Sequence, residues 1–194
     1  MTMLLRFVVL AAALTGSVTH AAEVGDDSFR CIRDMTPVRG FYVDNLNGDV
    51  AATVAAANAE GGANYPAGSV VQLVPGEAMV KHDAGFSPAT RDWEFFELNV
   101  SAQGTTIGKR GFADVVNRFG GNCFACHVKA EPRWDMVCEQ GHGCDPIPLT
   151  ATMTRAIQKT DPRCATVALT AEEQEALQAL QRAMAPKETD AAGG

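Results

Sequence analysis

The stretch Cys123-Phe-Ala-Cys126-His127 constrains this chain more than any other. Two thiols three positions apart, followed at once by an imidazole, have the spacing of c-type haem attachment. The thiols reach the two vinyl groups and the imidazole sits beneath the iron. A chain of this composition is expected to contain on the order of 0.004 such matches by chance. A thioredoxin-like redox pair places a strand before the first cysteine and starts a helix on it, within a βαβ pattern. Here a helix-spaced run and Gly120-Gly121 come first. A zinc site needs four ligands, and the other cysteines offer no second CxxC. The motif therefore predicts one covalent haem c, bound through Cys123 and Cys126, with His127 as the proximal iron ligand.

The N-terminus fits the compartment where haem is attached this way. Arg6, the apolar run Phe7 to Leu14 and the small residues ending at Ala21-Ala22 have the layout of a secretory signal peptide over residues 1–22. That run is far shorter than the roughly 20 residues that span a bilayer, and no later segment is long and apolar enough to do so. A periplasmic protein without a membrane span is expected. Removing Arg6 makes the net charge one unit more negative than −7, which argues against nucleic acid and for a basic redox partner protein. Cys31, Cys138, Cys144 and Cys164 then form an even set suited to an oxidising compartment. Four cysteines allow three pairings. The preferred one closes the Gly/Pro-rich loop with Cys138–Cys144 and ties the two ends of the exported chain with Cys31–Cys164.

Strand patterns occur at Phe41 to Asn45, Ser69 to Val74, Ala78 to His82, Trp93 to Val100 and Thr105 to Gly108, with turns at Tyr65-Pro-Ala-Gly68, Pro75-Gly76 and Gln103-Gly104. Asp49 caps a helix to about Glu60, and Phe112, Val115, Val116 and Phe119 have helical spacing. Residues 130–148 read as irregular loop, and Thr150 to Lys159 as a short helix. Thr170 with Glu173 is a capping box for a C-terminal helix whose stripe is Ala176, Leu177, Leu180, Ala183 and Met184. Residues 186–194 read as a disordered tail. The fold class is α+β: an antiparallel sheet of four or five strands with flanking helices, and the haem packed against the sheet.

The sixth iron position decides the chemistry. Met136, Met153 and Met184 lie downstream of the motif; Met35, Met79, Lys81 and His82 lie upstream; His142 lies in the proposed disulfide loop. Each has a blander role, as core or surface, so an open or water-bearing site is the leading expectation.

The order of these segments resembles the cytochrome P460 family, which includes the sheet-based cytochromes c′-beta. The resemblance rests on Tyr42-Val-Asp44, Tyr65-Pro-Ala-Gly68-Ser-Val-Val, Trp93-Glu-Phe-Phe96, the haem motif and Asp135-Met-Val, about half the chain. It implies a P460-like haem domain over residues 23–185, often a homodimer, with binding of small diatomic ligands such as nitric oxide. P460 enzymes cross-link a strand lysine to the haem. Counting from Gly68 puts Leu73 at that place, while a register from Gly76 reaches Lys81. Without the cross-link the resemblance turns to the c′-beta members, whose distal pocket is apolar and aromatic; Phe95, Phe96 and Leu73 are the distal candidates. The alternatives are a P460-like oxidoreductase using Lys81, a peroxidase-like site drawing on Glu94, Glu97, Arg91 or His82, and a six-coordinate electron carrier with Met79 or another side chain on the iron.

Overall fold

The computed structural model describes residues 23–184, so the expected leader and the expected tail lie outside the described residues. Six strands, β1 (Thr36–Val38), β2 (Phe41–Asn45), β3 (Ser69–Val74), β4 (Glu77–Lys81), β5 (Trp93–Ser101) and β6 (Gly104–Gly111), form one sheet in the order of the chain. Every neighbouring pair is antiparallel. Four helices accompany it: α1 (Val50–Ala57), α2 (Cys123–His127), α3 (Ala151–Lys159) and α4 (Ala171–Met184). The architecture is α+β with an antiparallel sheet, as expected, but with six strands instead of four or five. The extra strand is β1, three residues long with Pro37 at its centre. Proline donates nothing to a ladder and is tolerated only at a sheet edge, which is where β1 lies.

Alternation along the strands sends neighbouring residues into two separate cores. Val43, Val71, Met79, Trp93 and Phe95 face one side, where Tyr65, Val115, Met136 and Val137 cover them and Cys123 and Phe124 pack at the edge. Val70, Ala78, Val80, Phe96 and Leu98 face the other side, under Val24, Phe29, Ile32 and Met35 of the N-terminal segment. A third, smaller cluster joins Val74 to Ile157 and Leu180 beneath α3 and α4.

The helix caps follow the sequence. Asp49, Thr150 and Asn122 each accept a backbone N–H of the first turn of α1, α3 and α2. Thr170 and Glu173 exchange both capping-box hydrogen bonds. The end of the α4 stripe is different: Leu180 is buried, but Met184 is 43% exposed. The expected helix over residues 112–119 does not form. Asn117 Oδ1 accepts the N–H groups of Phe119 and Gly121, and Asn122 Nδ2 donates to the carbonyls of Phe112, Ala113 and Val115. These side chains take backbone groups that a helix would have used itself.

Both disulfides have the preferred pairing. Cys31 joins Cys164 across a sequence separation of 133, and Cys138 joins Cys144 across 6. Loop entropy assigns the long closure roughly 5 kcal/mol and the short one roughly 2 kcal/mol. Beside the long one, the buried Asp161 carboxylate accepts from the Ile32 N–H and pairs with Arg163, which is itself buried. Burial opposes the charge on Asp161, but Arg163 and the Ile32 N–H together hold its carboxyl below the usual range.

Candidate functional site

Helix α2 is only five residues long and carries the whole motif. Asn122 both caps it and ties it to residues 112–115, and the Cys123 N–H donates to the Val115 carbonyl. Cys123 and Cys126 are unpaired while the other four cysteines are bonded. Burial, with the negative charge of Glu77 nearby, pushes the Cys123 thiol up to about 12. A redox-active CxxC needs a thiol displaced in the opposite direction.

His127 carries the most informative contact. Its Nδ1 lies 2.7 Å from the Met136 carbonyl oxygen. A carbonyl only accepts, so Nδ1 holds the proton and Nε2 keeps its lone pair for a metal. Burial pushes the imidazole below the ordinary histidine range, against the Met136 carbonyl, which favours the protonated form. A neutral, oriented imidazole results. Its ring packs on Phe95, with centroids 5.2 Å apart; Phe124 adjoins Phe95, and the half-exposed Phe112 adjoins Phe124.

The Met136 carbonyl sits in an unusual corner. Asp135 and Met136 both have positive φ, 46° and 66°. Non-glycine residues held there cost of order 1–3 kcal/mol each, so the surroundings must hold them. They do. The buried Asp135 carboxylate accepts from Lys81 Nζ at 2.7 and 2.9 Å and from the Tyr65 N–H at 2.9 Å. The Asp135 carbonyl accepts from Trp93 Nε1 at 2.7 Å. Lys81 also donates to the carbonyl of Arg91, which with Asp92 forms a second positive-φ corner. Gly62 lets the segment approach: at φ +83° a Cβ there would lie 2.3 Å from the Arg133 carbonyl oxygen.

The structure brings together Cys123, Cys126, His127 and Phe95, with Leu73 half-buried beside the same core. Phe95 is a neighbour of the imidazole itself. Phe96 lies on the opposite face, against Phe29, with Arg110 above its ring. Glu94 shares that far face, held below the carboxylate range by His82 and Arg110 in spite of its burial. Glu94 and His82, two of the candidates for a peroxidase-like site, lie on the face of the sheet away from α2. Lys81, the candidate for a cross-link, donates its ammonium to Asp135 and to the Arg91 carbonyl. Arg91 donates to the Pro132 carbonyl. His142 stacks on Trp134 and bonds the Val137 carbonyl. Of the methionines considered, Met79 and Met136 lie in the core that includes Cys123; Met35 lies on the far face, and Met153 lies on α3 against the third cluster.

Sequence reasoning quoted Asp135 and Trp93 without giving them roles, and missed Asn122 and Glu77. Glu77 accepts from the Arg118 N–H, and burial raises its carboxyl. Only the register, which sets Glu77 opposite Glu97, reveals this acidic pair. Two unpaired thiols and a neutral imidazole with a bare Nε2, set against phenylalanine rings, form a donor set that fits a covalently attached haem. No family model, curated protein or solved structure matches the chain.

Proposed function

We propose that the chain is an exported mono-haem c-type cytochrome of P460-like type, which binds small diatomic ligands such as nitric oxide and transfers electrons. The observation that carries this reading is the His127–Met136 hydrogen bond next to two unpaired thiols. It fixes the tautomer that a haem iron requires of its proximal ligand. Haem iron, once bound, supplies ligand binding and one-electron chemistry. Cys123 and Cys126 would hold the group by thioethers, and His127 would ligate through Nε2. Phe95, Phe124 and Phe112 would supply apolar contact, and Phe95 would also brace the imidazole.

Two disulfides, and a chain in which no described helix is long and apolar enough to cross a membrane, support a periplasmic location. A six-coordinate electron carrier is the second reading, favoured by Met79 and Met136 in the core beside the motif. The test is the visible spectrum of the purified protein, ferric and then dithionite-reduced. A high-spin ferrous form that shifts with nitric oxide or carbon monoxide is expected. Sharp low-spin α and β bands would favour the carrier, and a colourless chain after maturation would overturn both. Replacing Cys123 and Cys126 with serine should yield protein whose colour extracts into acid acetone.

A further inference from the structure

This inference rests on the haem reading above. We infer that Lys81, Asp135 and Trp93 are positioning residues that aim the Met136 carbonyl at His127, and so set how strongly the imidazole donates to iron. The peptide unit before Met136 is pinned from the sheet, and the one after it from within the loop. Trp93 Nε1 holds the carbonyl before it, while Lys81 and the Tyr65 N–H hold the Asp135 side chain. After it, the Val137 N–H donates to the Trp134 carbonyl, and the Val137 carbonyl accepts from His142. Among the described residues, the only polar side chain on the Met136 carbonyl itself is His127.

The anchors come from the sheet. Lys81 and Trp93 are register partners on β4 and β5, and the Lys81 ammonium lies 5.2 Å from the centre of the Trp93 ring. The hydrogen bond that orients the imidazole is thus referred to the most buried part of the molecule, although α2 itself is a single short turn. A proximal imidazole that donates Nδ1–H to a well-aimed acceptor gains anionic character and becomes a stronger ligand. Loosening the clamp should weaken that bond without touching the ligand.

The test uses the matured holoprotein and the variants Asp135→Asn, Lys81→Met and Trp93→Phe. Haem retained after acid-acetone extraction is checked first in the unsubstituted protein; its absence there overturns the haem reading and this inference with it. With haem present, solvent exchange of the His127 Nδ1 proton is followed by NMR, which serves for either coordination state, and the midpoint potential is measured. All three variants should exchange about tenfold faster, the scale of one hydrogen bond's loss, and all should have raised potentials. A pure charge effect behaves differently: losing the Lys81 cation lowers the potential, losing the Asp135 anion raises it, and the exchange rate stays put. That pattern, or exchange unchanged throughout, overturns the inference. Trp93→Phe keeps the ion pair, so it carries the test if either charge variant does not fold.

Discussion

The two faces of β5 are built from adjacent residues and closed by different means. Trp93 and Phe95 face the motif; Glu94 and Phe96 face the N-terminal segment. On the far side the closure is covalent and ionic: Cys31–Cys164 with Asp161–Arg163, plus Phe29 against Phe96. On the motif side it is a five-residue helix, two asparagine side chains and the Lys81–Asp135 pair, with two thiols left unbonded. The far face is a permanent wall. On the motif face Cys123 and Cys126 stay unbonded, and polar clamps hold it in shape.

The contrast predicts where stability is concentrated. Replacing Cys31 and Cys164 together with serine should cost the most, about 5 kcal/mol in chemical denaturation. The matching change at Cys138 and Cys144 should cost about half of that. An equal loss for both would break the asymmetry. Phe96→Ala should cost about 3–5 kcal/mol, the usual penalty for a buried phenylalanine, and leave the visible spectrum unchanged. Phe95→Ala, with a similar loss, should alter the spectrum through His127. Identical spectra for the two variants would remove the distinction between faces.

Asp161→Asn should cost about 3 kcal/mol at neutral pH, because it strands a buried guanidinium. The carboxyl is depressed on folding, so its contribution is full above the unfolded value near 3.8 and disappears as pH falls through the lower folded value. The stabilities of the two proteins should therefore begin to converge only below about pH 4 and meet below the folded value. A gap that widened in acid would contradict the assignment. The smallest effect is expected at the hinge of the motif face. Asn122→Ala should cost about 1–2 kcal/mol in thermal unfolding, with a larger fractional loss of haem incorporation.

Much of this arrangement was legible locally. Caps at Asp49 and Thr170 were readable because their partners lie within four residues. All the strands but β1 were readable from alternation and turn signals, and the composition of the Cys138–Cys144 loop led to a preferred disulfide pairing without deciding it. Residues 112–119 misled because apolar spacing says nothing of Asn117 and Asn122, whose amides take the backbone elsewhere. The choice between Phe95 and Phe96 needed the register, since alternation gives two faces without saying which one the motif covers. The Lys81–Asp135 pair spans 54 positions, and no local pattern links its members.

The high threshold for ionising Cys123 has a consequence for maturation. An oxidising compartment offers six thiols 15 ways to pair fully, and only a thiolate attacks a disulfide. At neutral pH a thiol displaced upward in this way is almost wholly protonated. In the folded chain this makes Cys123 the slower partner in thiol–disulfide exchange, which on the haem reading would leave it available for attachment.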